Sequence, residues 1–270
     1  MSQLSLPRPG PDESAPFYHD YISQVPDDRI GRHLVDQLQE LERLVAPLDD
    51  EAARYRYAPG KWSVKELLGH LADSERIFAY RMLRIGRGDA TPLPGFDEND
   101  YVPAGDFDAR SLEGILGELR AVRSATIALV DGLPSAAWSR RGQASGKIIS
   151  ALALAYIIVG HTTHHTRVLR ERYRLATVLR ICDNGHERVV PASAELVDRV
   201  FAPDAAIADG TEITVAEGDR WLAAVAVGAR GSRDEFLLSG AAGETPTASG
   251  QAARSDALRR FRDFLSRREG

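Results

Sequence analysis

Apolar residues recur at helical spacing along a proline-free stretch beyond the middle of the chain, IISALALAYIIVGHTTHHTRVLRERY. The pattern predicts one long helix over residues 148–173. Because successive residues of a helix are about 100° apart, His161 and His165 fall on one line with Leu154 and Ile158. The stripe that is predicted to face the core therefore carries two imidazoles, one helical turn apart.

These two histidines have two interpretations. A lone buried histidine is usually a core residue that hydrogen-bonds a polar neighbour. Two histidines four residues apart also have the spacing at which two imidazoles converge on one metal ion. His164 falls at the edge of the stripe rather than at its centre. This helix alone leaves both interpretations open, and a third histidine on another core-facing helix would favour the metal.

A second predicted helix supplies such a histidine. The sequence PGKW at 59–62 predicts a turn, after which Ser63 is the expected N-cap and Glu66 completes a capping box. His70 lies beside the apolar face of this helix, in a position from which its side chain can reach the interior of a bundle.

Two further helices and a loop complete the helical pattern. One helix is predicted to follow Asp27 and Asp28, and another to run from an N-cap at Asp108 to Pro134. Residues 86–103, GRGDATPLPGFDENDYVP, are predicted to be a long loop because glycine and proline interrupt them. Four long amphipathic helices joined in this way predict a four-helix bundle, a fold that builds metal sites from facing helices.

Beyond residue 173 the pattern changes to short runs typical of strands. The runs at 178–182 and 187–190 flank Asp-Asn-Gly, which predicts a hairpin. Three more strands are predicted at 211–216, 221–227 and 235–238, with a short helix at 193–201, a small-residue linker at 240–250 and a last helix from about 255. We therefore predict a two-domain α+β protein: a tether over 1–24, an all-α four-helix bundle over 25–175, and a small α+β domain with antiparallel strands over 176–270.

Composition narrows the class of protein. Of the 270 residues 43% are hydrophobic and 27% charged, as in soluble globular proteins. The net charge of −5 comes from intermixed acids and bases, so no nucleic-acid or membrane partner is expected. The single cysteine, Cys182, excludes an internal disulfide and fits a reducing compartment. The opening residues lack the apolar core of a signal peptide, so a cytoplasmic protein is expected.

Three segments together resemble the DinB-like (YfiT-like) family of metal-binding four-helix bundles: PGKWSVKELLGHLADSE, PLPGFDENDYVP and GHTTHHTRVLRERY. The resemblance covers about residues 25–175 and leaves the C-terminal part unrecognised. It implies that His70, His161 and His165 bind one divalent metal ion, zinc or nickel. It also implies a frequently dimeric bundle, hence a homodimer here, and activities that include thiol S-transfer and proposed hydrolysis.

Three neutral imidazoles would leave one coordination position open, as in catalytic rather than structural zinc sites. Asp73, one turn from His70, is the first candidate for a general base or for a carboxylate that orients a ligand, whereas Glu75 is predicted to lie toward the helix flank as an ion-pair partner. We expect a metal-dependent enzyme acting on a small molecule, with transfer of a low-molecular-weight thiol slightly favoured over hydrolysis. The alternative is a non-catalytic, metal-stabilised binding or stress-response module whose C-terminal domain recognises another protein.

Overall fold

The computed structural model describes residues 5–173 and 175, together with strands at 177–183, 186–191, 212–217, 220–227, 233–236, 240–241 and 248–249. The chain divides into two compact units. The first comprises Met1–Arg43 and Gly60–Val168, and the second Leu44–Pro59 and Leu169–Gly270. In the described residues, no helix is long and apolar enough to cross a membrane.

Four long helices form the bundle, as predicted. In chain order the helices are α1 (His19–Ser23), α2 (Ile30–Val45), α3 (Val64–Gly86), α4 (Glu98–Ala104), α5 (Leu112–Gly132) and α6 (Ala151–Glu171), of which α1 and α4 are short. Every residue of the first half of α6, from Ala151 to Val159, is buried. These side chains belong to the main hydrophobic core, which also takes in residues of α2, α3 and α5. The helix predicted to carry the two histidines is therefore the central helix of the core.

The start of α3 confirms the predicted capping box. The Ser63 hydroxyl accepts a hydrogen bond from the Glu66 backbone N–H at 3.0 Å, and the Glu66 carboxylate accepts one from the Ser63 backbone N–H at 2.8 Å. Both bonds satisfy backbone donors that the first turn of a helix leaves free. They fix where α3 begins, and with it the place of His70 two turns later.

The predicted N-cap of α5 was wrong. Asp108 lies in a 3-10 turn over Phe107–Ala109, and its carboxylate accepts a hydrogen bond from the Ser63 hydroxyl at 2.5 Å. The N-cap is Ser111, whose hydroxyl accepts from the backbone N–H of Gly114 at 3.1 Å. Ser111 has the extended backbone that an N-cap requires, with φ −71° and ψ 145°.

The helix predicted over 148–173 begins three residues later than expected. Lys147–Ser150 is a strand, β2, paired antiparallel with β1, Arg141–Ala144. The turn between them has positive φ at both Ser145 and Gly146, which is the conformation of a tight hairpin turn. The hydroxyl of Ser150 then accepts a hydrogen bond from the backbone N–H of Ala153 at 2.9 Å, so helix α6 starts at Ala151.

Most of helix α4 lies within the segment predicted as a loop at 86–103. Asp97 is its N-cap and accepts a hydrogen bond from the backbone N–H of Asn99 at 2.9 Å. The part before α4 is attached to the β1–β2 hairpin, because the Leu93 N–H donates to the Gln143 carbonyl at 2.9 Å. The buried guanidinium of Arg81 holds the same stretch by donating to the Pro94 carbonyl at 2.7 Å.

The first residues that the structure describes do not form the expected tether. Leu6, Ile22 and Val25 are buried in the main core. The hydroxyl of Tyr156, in α6, donates to the Leu6 carbonyl at 2.7 Å, and Arg8 donates to the carbonyls of Ile22 and Val25 at 2.6 and 2.5 Å. Apolar residues spaced between the prolines thus pin this segment to the bundle.

The second unit contains an antiparallel sheet, as predicted. Its strands are β3 (Thr177–Asp183), β4 (His186–Pro191), β5 (Glu212–Glu217), β6 (Arg220–Val227), β7 (Arg233–Phe236), β8 (Gly240–Ala241) and β9 (Ala248–Ser249). The order in the sheet is β4-β3-β5-β6-β7-β9, with β8 paired to β6. Asp183 pairs with His186, which confirms the predicted hairpin. Strands β8 and β9 lie inside the predicted linker, and the helices predicted at 193–201 and from 255 fall outside the described residues.

Candidate metal centre

Helices α3 and α6 bring three histidines together. The Nε2 atom of His161 lies 3.1 Å from Nε2 of His70 and 3.2 Å from Nε2 of His165. One ligand nitrogen from each of the three rings lies within 4.8 Å of the other two. These are the three residues selected from the sequence, and their nitrogens converge because positions 161 and 165 share one face of α6 and that face meets His70.

Aromatic rings surround the cluster. The ring of Trp62 lies 4.7 Å from that of His70, measured between centroids. The rings of Phe78 and Tyr21 approach His161 edge-on, at 5.7 and 5.3 Å. His70 and His161 are each only 6% exposed, whereas His165 is part-exposed. His165 is therefore the least enclosed of the three histidines.

Tyr21 comes from the N-terminal segment, which sequence reasoning did not connect with the site. Its approach depends on Gly160, the residue before His161. A Cβ atom at position 160 would lie 2.0 Å from the carbonyl oxygen of Tyr21, which is far inside van der Waals contact. The glycine thus lets the backbone of α1 lie directly on α6 beside the histidines.

Burial keeps the three imidazoles neutral. It lowers the pKa of His70 from its ordinary 6.5 to about 4. The pKa values of His161 and His165 are also well below 6.5, first because of burial and then because neighbouring imidazoles would repel a second charge. A neutral imidazole offers a nitrogen lone pair, which is the form that binds a metal ion.

The donor set fits a divalent ion. A neutral imidazole nitrogen carries either a hydrogen or a lone pair, so Nε2 of His161 is poorly suited to satisfy two neighbouring Nε2 atoms by hydrogen bonds alone. Two nitrogens held tetrahedrally by one zinc ion, each about 2.0–2.1 Å from it, lie roughly 3.3 Å apart. The observed 3.1 and 3.2 Å are close to that separation. The three residues are therefore able to hold one ion through Nε2.

The opposite ring nitrogens would then carry the hydrogens. Nδ1 of His70 lies 3.4 Å from the hydroxyl of Ser74, one turn further along α3. Nδ1 of His165 is buried and has no hydrogen-bond partner among the described residues. Metal-binding histidines usually donate this second N–H to an acceptor that fixes the orientation of the ring. The hydroxyl of Ser74 lies where it could be such an acceptor for His70.

Asp73, the predicted base, is placed outside the histidine cluster. Its carboxylate lies 3.4 Å from the guanidinium of Arg76, which also pairs with Glu118 of α5. Burial raises the pKa of Asp73 above its ordinary value, and the nearby charge of Arg76 opposes that effect. Within the part of the chain that the structure describes, the cluster of possible metal ligands comprises histidines alone.

Glu75 is an ion-pair partner, as predicted, but it is buried rather than at the helix flank. It pairs with Arg123 of α5 at 2.8 Å, and the two side chains are 4% and 2% exposed. Sequence reasoning missed Arg123. A signal was present, because position 123 lies four residues after Leu119 and three before Thr126, on the buried stripe of α5.

The fold and the site together define a four-helix bundle with a three-histidine centre shared by two helices. The family model of the DinB superfamily matches residues 33–169, which is just over half of the chain and includes all three histidines. The chain therefore belongs to the DinB superfamily, and the resemblance given above is confirmed.

Two solved structures are similar to the chain. One is YfiT from Bacillus subtilis, described as a probable metal-dependent hydrolase with an unusual four-helix bundle topology: it is 21% identical, covers 62% of this chain and 92% of its own, and has a TM-score of 0.49. The other is a mycothiol-dependent maleylpyruvate isomerase, 14% identical over 54% of this chain and 61% of its own, with a TM-score of 0.46. No curated protein matches the chain. The assignment to the family rests on the family model.

Proposed function

We propose that His70, His161 and His165 bind one divalent metal ion, zinc or nickel. The observation that carries this proposal is the convergence of the Nε2 atoms of three neutral imidazoles, two of them buried and one part-buried, from two helices of the bundle. Nitrogen ligands at this spacing suit both ions. Three protein ligands also leave a position for a substrate, as in catalytic sites.

We further propose that the protein is an enzyme acting on a small molecule, with thiol transfer slightly favoured over hydrolysis. A divalent ion held by these residues would supply Lewis acidity and lower the pKa of a thiol or a water molecule bound to it. The donor set favours the thiol. Three neutral ligands leave a net charge of +2, which attracts and stabilises an anionic sulfur.

The surrounding residues support small-molecule chemistry. The rings of Trp62, Phe78 and Tyr21 exclude water from the side of the cluster formed by His70 and His161. We infer that a substrate approaches from the side of His165, the least buried of the three histidines. A reducing cytoplasm, as expected from the single Cys182, would keep a thiol co-substrate reduced.

The proposal includes a homodimer, which light scattering of the purified protein tests.

For the hydrolytic alternative, Asp73 remains the proposed base. Its raised pKa makes its carboxylate a stronger base than an exposed aspartate. The Asp73→Asn variant keeps the shape of the side chain and removes its basicity. Hydrolysis that persists undiminished in this variant would exclude Asp73 from that role.

One experiment separates the candidate functions. The full-length protein, loaded with zinc or nickel, is given a panel of electrophilic small molecules with and without a low-molecular-weight thiol, and His161→Ala serves as the metal-free control. We expect a thiol adduct that forms only with added thiol and only in the wild type. A water adduct formed without thiol would reverse the order of the two reactions. Metal binding without turnover of any substrate would favour the metal-stabilised binding module.

A further inference from the structure

A buried polar network connects the four long helices of the bundle. Nε and Nη2 of Arg123 donate to both carboxylate oxygens of Glu75, at 2.8–3.0 Å. Nη1 donates to the Leu34 carbonyl at 2.8 Å and to the side-chain oxygen of Gln37 at 3.3 Å. Nη2 also donates to the hydroxyl of Thr162 at 3.0 Å. A single guanidinium on α5 therefore contacts α2, α3 and α6.

The network holds α6 at the turn that carries His161, one of the three proposed metal ligands. Thr162, which accepts from Arg123, directly follows His161. The side-chain amide of Gln37 donates to the Val159 carbonyl and to the Thr163 hydroxyl, both at 2.8 Å. Directional hydrogen bonds from two other helices thus reach α6 at positions 159, 162 and 163.

Hydrophobic packing of the first half of α6 does little to define the rotation of the helix. From Ala151 to Val159 the helix is buried on all sides, so the apolar pattern of this half does not specify which face points toward α3. The hydrogen bonds to the Val159 carbonyl and to the hydroxyls of Thr162 and Thr163 do specify which face of α6 points toward α3, because a small rotation or slide of the helix would break them. Buried ion pairs add little net stability compared with apolar residues of similar volume, and defining a register is their best-attested role.

We propose that Arg123 and Glu75 are positioning residues of the metal centre. Acting through Thr162, they set the rotation of α6 that aims His161 and His165 at His70. This inference rests on the proposed metal site and deepens it. Metal ligands must lie within about 0.2 Å of their ideal distances, so a small rotation of α6 weakens binding even where the fold is kept.

Two variants test the positioning role in the full-length protein. Thr162→Val keeps the shape of the side chain and removes only its bonds to Arg123 and to the preceding turn. The double variant Arg123→Met with Glu75→Met removes both charges together and leaves no buried charge unpaired. Its matched control is Arg120→Met with Glu42→Met, a surface ion pair that joins the same α5 to α2.

Cobalt(II) is the probe, because its visible absorption reports ligand geometry and its affinity is measured by titration against a chelator. We expect both test variants to bind cobalt about 10- to 100-fold more weakly than the wild type, with a changed absorption spectrum, and the control to match the wild type. Wild-type affinity and spectrum in both test variants would overturn the positioning role, whatever their melting temperatures. Wild-type protein that bound no cobalt would instead overturn the metal site itself, and this inference with it.

Discussion

The Nε2 atoms of His70 and His161 lie 3.1 Å apart although 91 residues separate the two positions in the chain. Both side chains are buried, and burial lowers the pKa of both. Two neutral imidazoles buried at this distance, with a third ring beside them, lose their hydration, and the hydrogen bonds between them recover little of that free energy. Coordination of a metal ion would offset the loss, so metal binding is the first property to measure.

We expect purified protein to contain about one equivalent of a divalent metal, and the His161→Ala and His165→Ala variants to contain little or none. Each variant removes one of three ligands, which weakens binding more than loss of a residue that only orients a ligand. Elemental analysis of the purified proteins measures this. His164→Ala, on the same helix but outside the cluster, is the control and should keep its metal. Equal metal content in all four proteins would contradict the assignment.

The site was predictable as far as it depends on local pattern. The spacing of His161 and His165 can be read from a short stretch of sequence. The same is true of the capping box of Ser63, which fixes the register of His70. The helical period then places His161 and His165 on one face of α6. The family resemblance named the same three histidines.

What the sequence left out depends on contacts between distant segments or on turn chemistry. Arg123 and Glu75 are 48 residues apart, and the position of a charged residue on an apolar stripe does not predict which residue it pairs with. Ser145 and Gly146 form a hairpin turn although Ser145 is an uncommon residue at positive φ, so the strand before α6 was read as part of the helix. The same limit explains why the N-terminal residues were predicted to be a tether. The hydrogen bond between Tyr156 and the Leu6 carbonyl joins positions 150 residues apart, and a local pattern does not reveal it.

That contact leads to a prediction about alkaline stability. Tyr156 is 1% exposed, and burial raises its pKa above the ordinary 10.0. The folded state therefore holds the phenol proton more tightly than the unfolded state, so this contribution is complete below pH 10 and is lost as pH rises through 10 toward the folded-state pKa. Tyr156→Phe should cost about 1–2 kcal/mol at neutral pH, because the Leu6 carbonyl loses its donor, and should lessen the alkaline loss of stability.

Urea denaturation of the wild type and of Tyr156→Phe at neutral pH and above pH 10 measures both effects. Some alkaline loss should remain in the variant, since burial also raises the pKa values of Tyr18 and Tyr21. Identical pH dependence in the two proteins would show that Tyr156 does not hold its proton differently in the folded state.

The domain boundary near residues 174–178 remains a prediction, made from the change of helical to strand periodicity. Limited proteolysis should release a helical fragment ending near residue 175 that keeps its metal, as mass spectrometry under native conditions would show. A protein truncated after residue 175 that is insoluble, while the full chain folds, would show that the C-terminal part completes the core of the bundle. The second unit also includes Leu44–Pro59, which the truncated protein keeps. Either result therefore tells whether this segment folds without the rest of its unit.

The last prediction compares two helical glycines. In α5, Gly117 has open space where a Cβ would stand, so Gly117→Ala should stabilise the protein by about 0.5–1 kcal/mol through helix propensity alone. In α6, a Cβ at Gly160 would meet the Tyr21 carbonyl at 2.0 Å, so Gly160→Ala should destabilise it by about 1–3 kcal/mol as α1 is forced away. Thermal and urea denaturation give both values, and the fluorescence of the tyrosines and tryptophans reports movement beside His161. Equal stabilisation by both alanines would mean that the N-terminal segment does not lie on α6 in solution, and that Tyr21 is not part of the site.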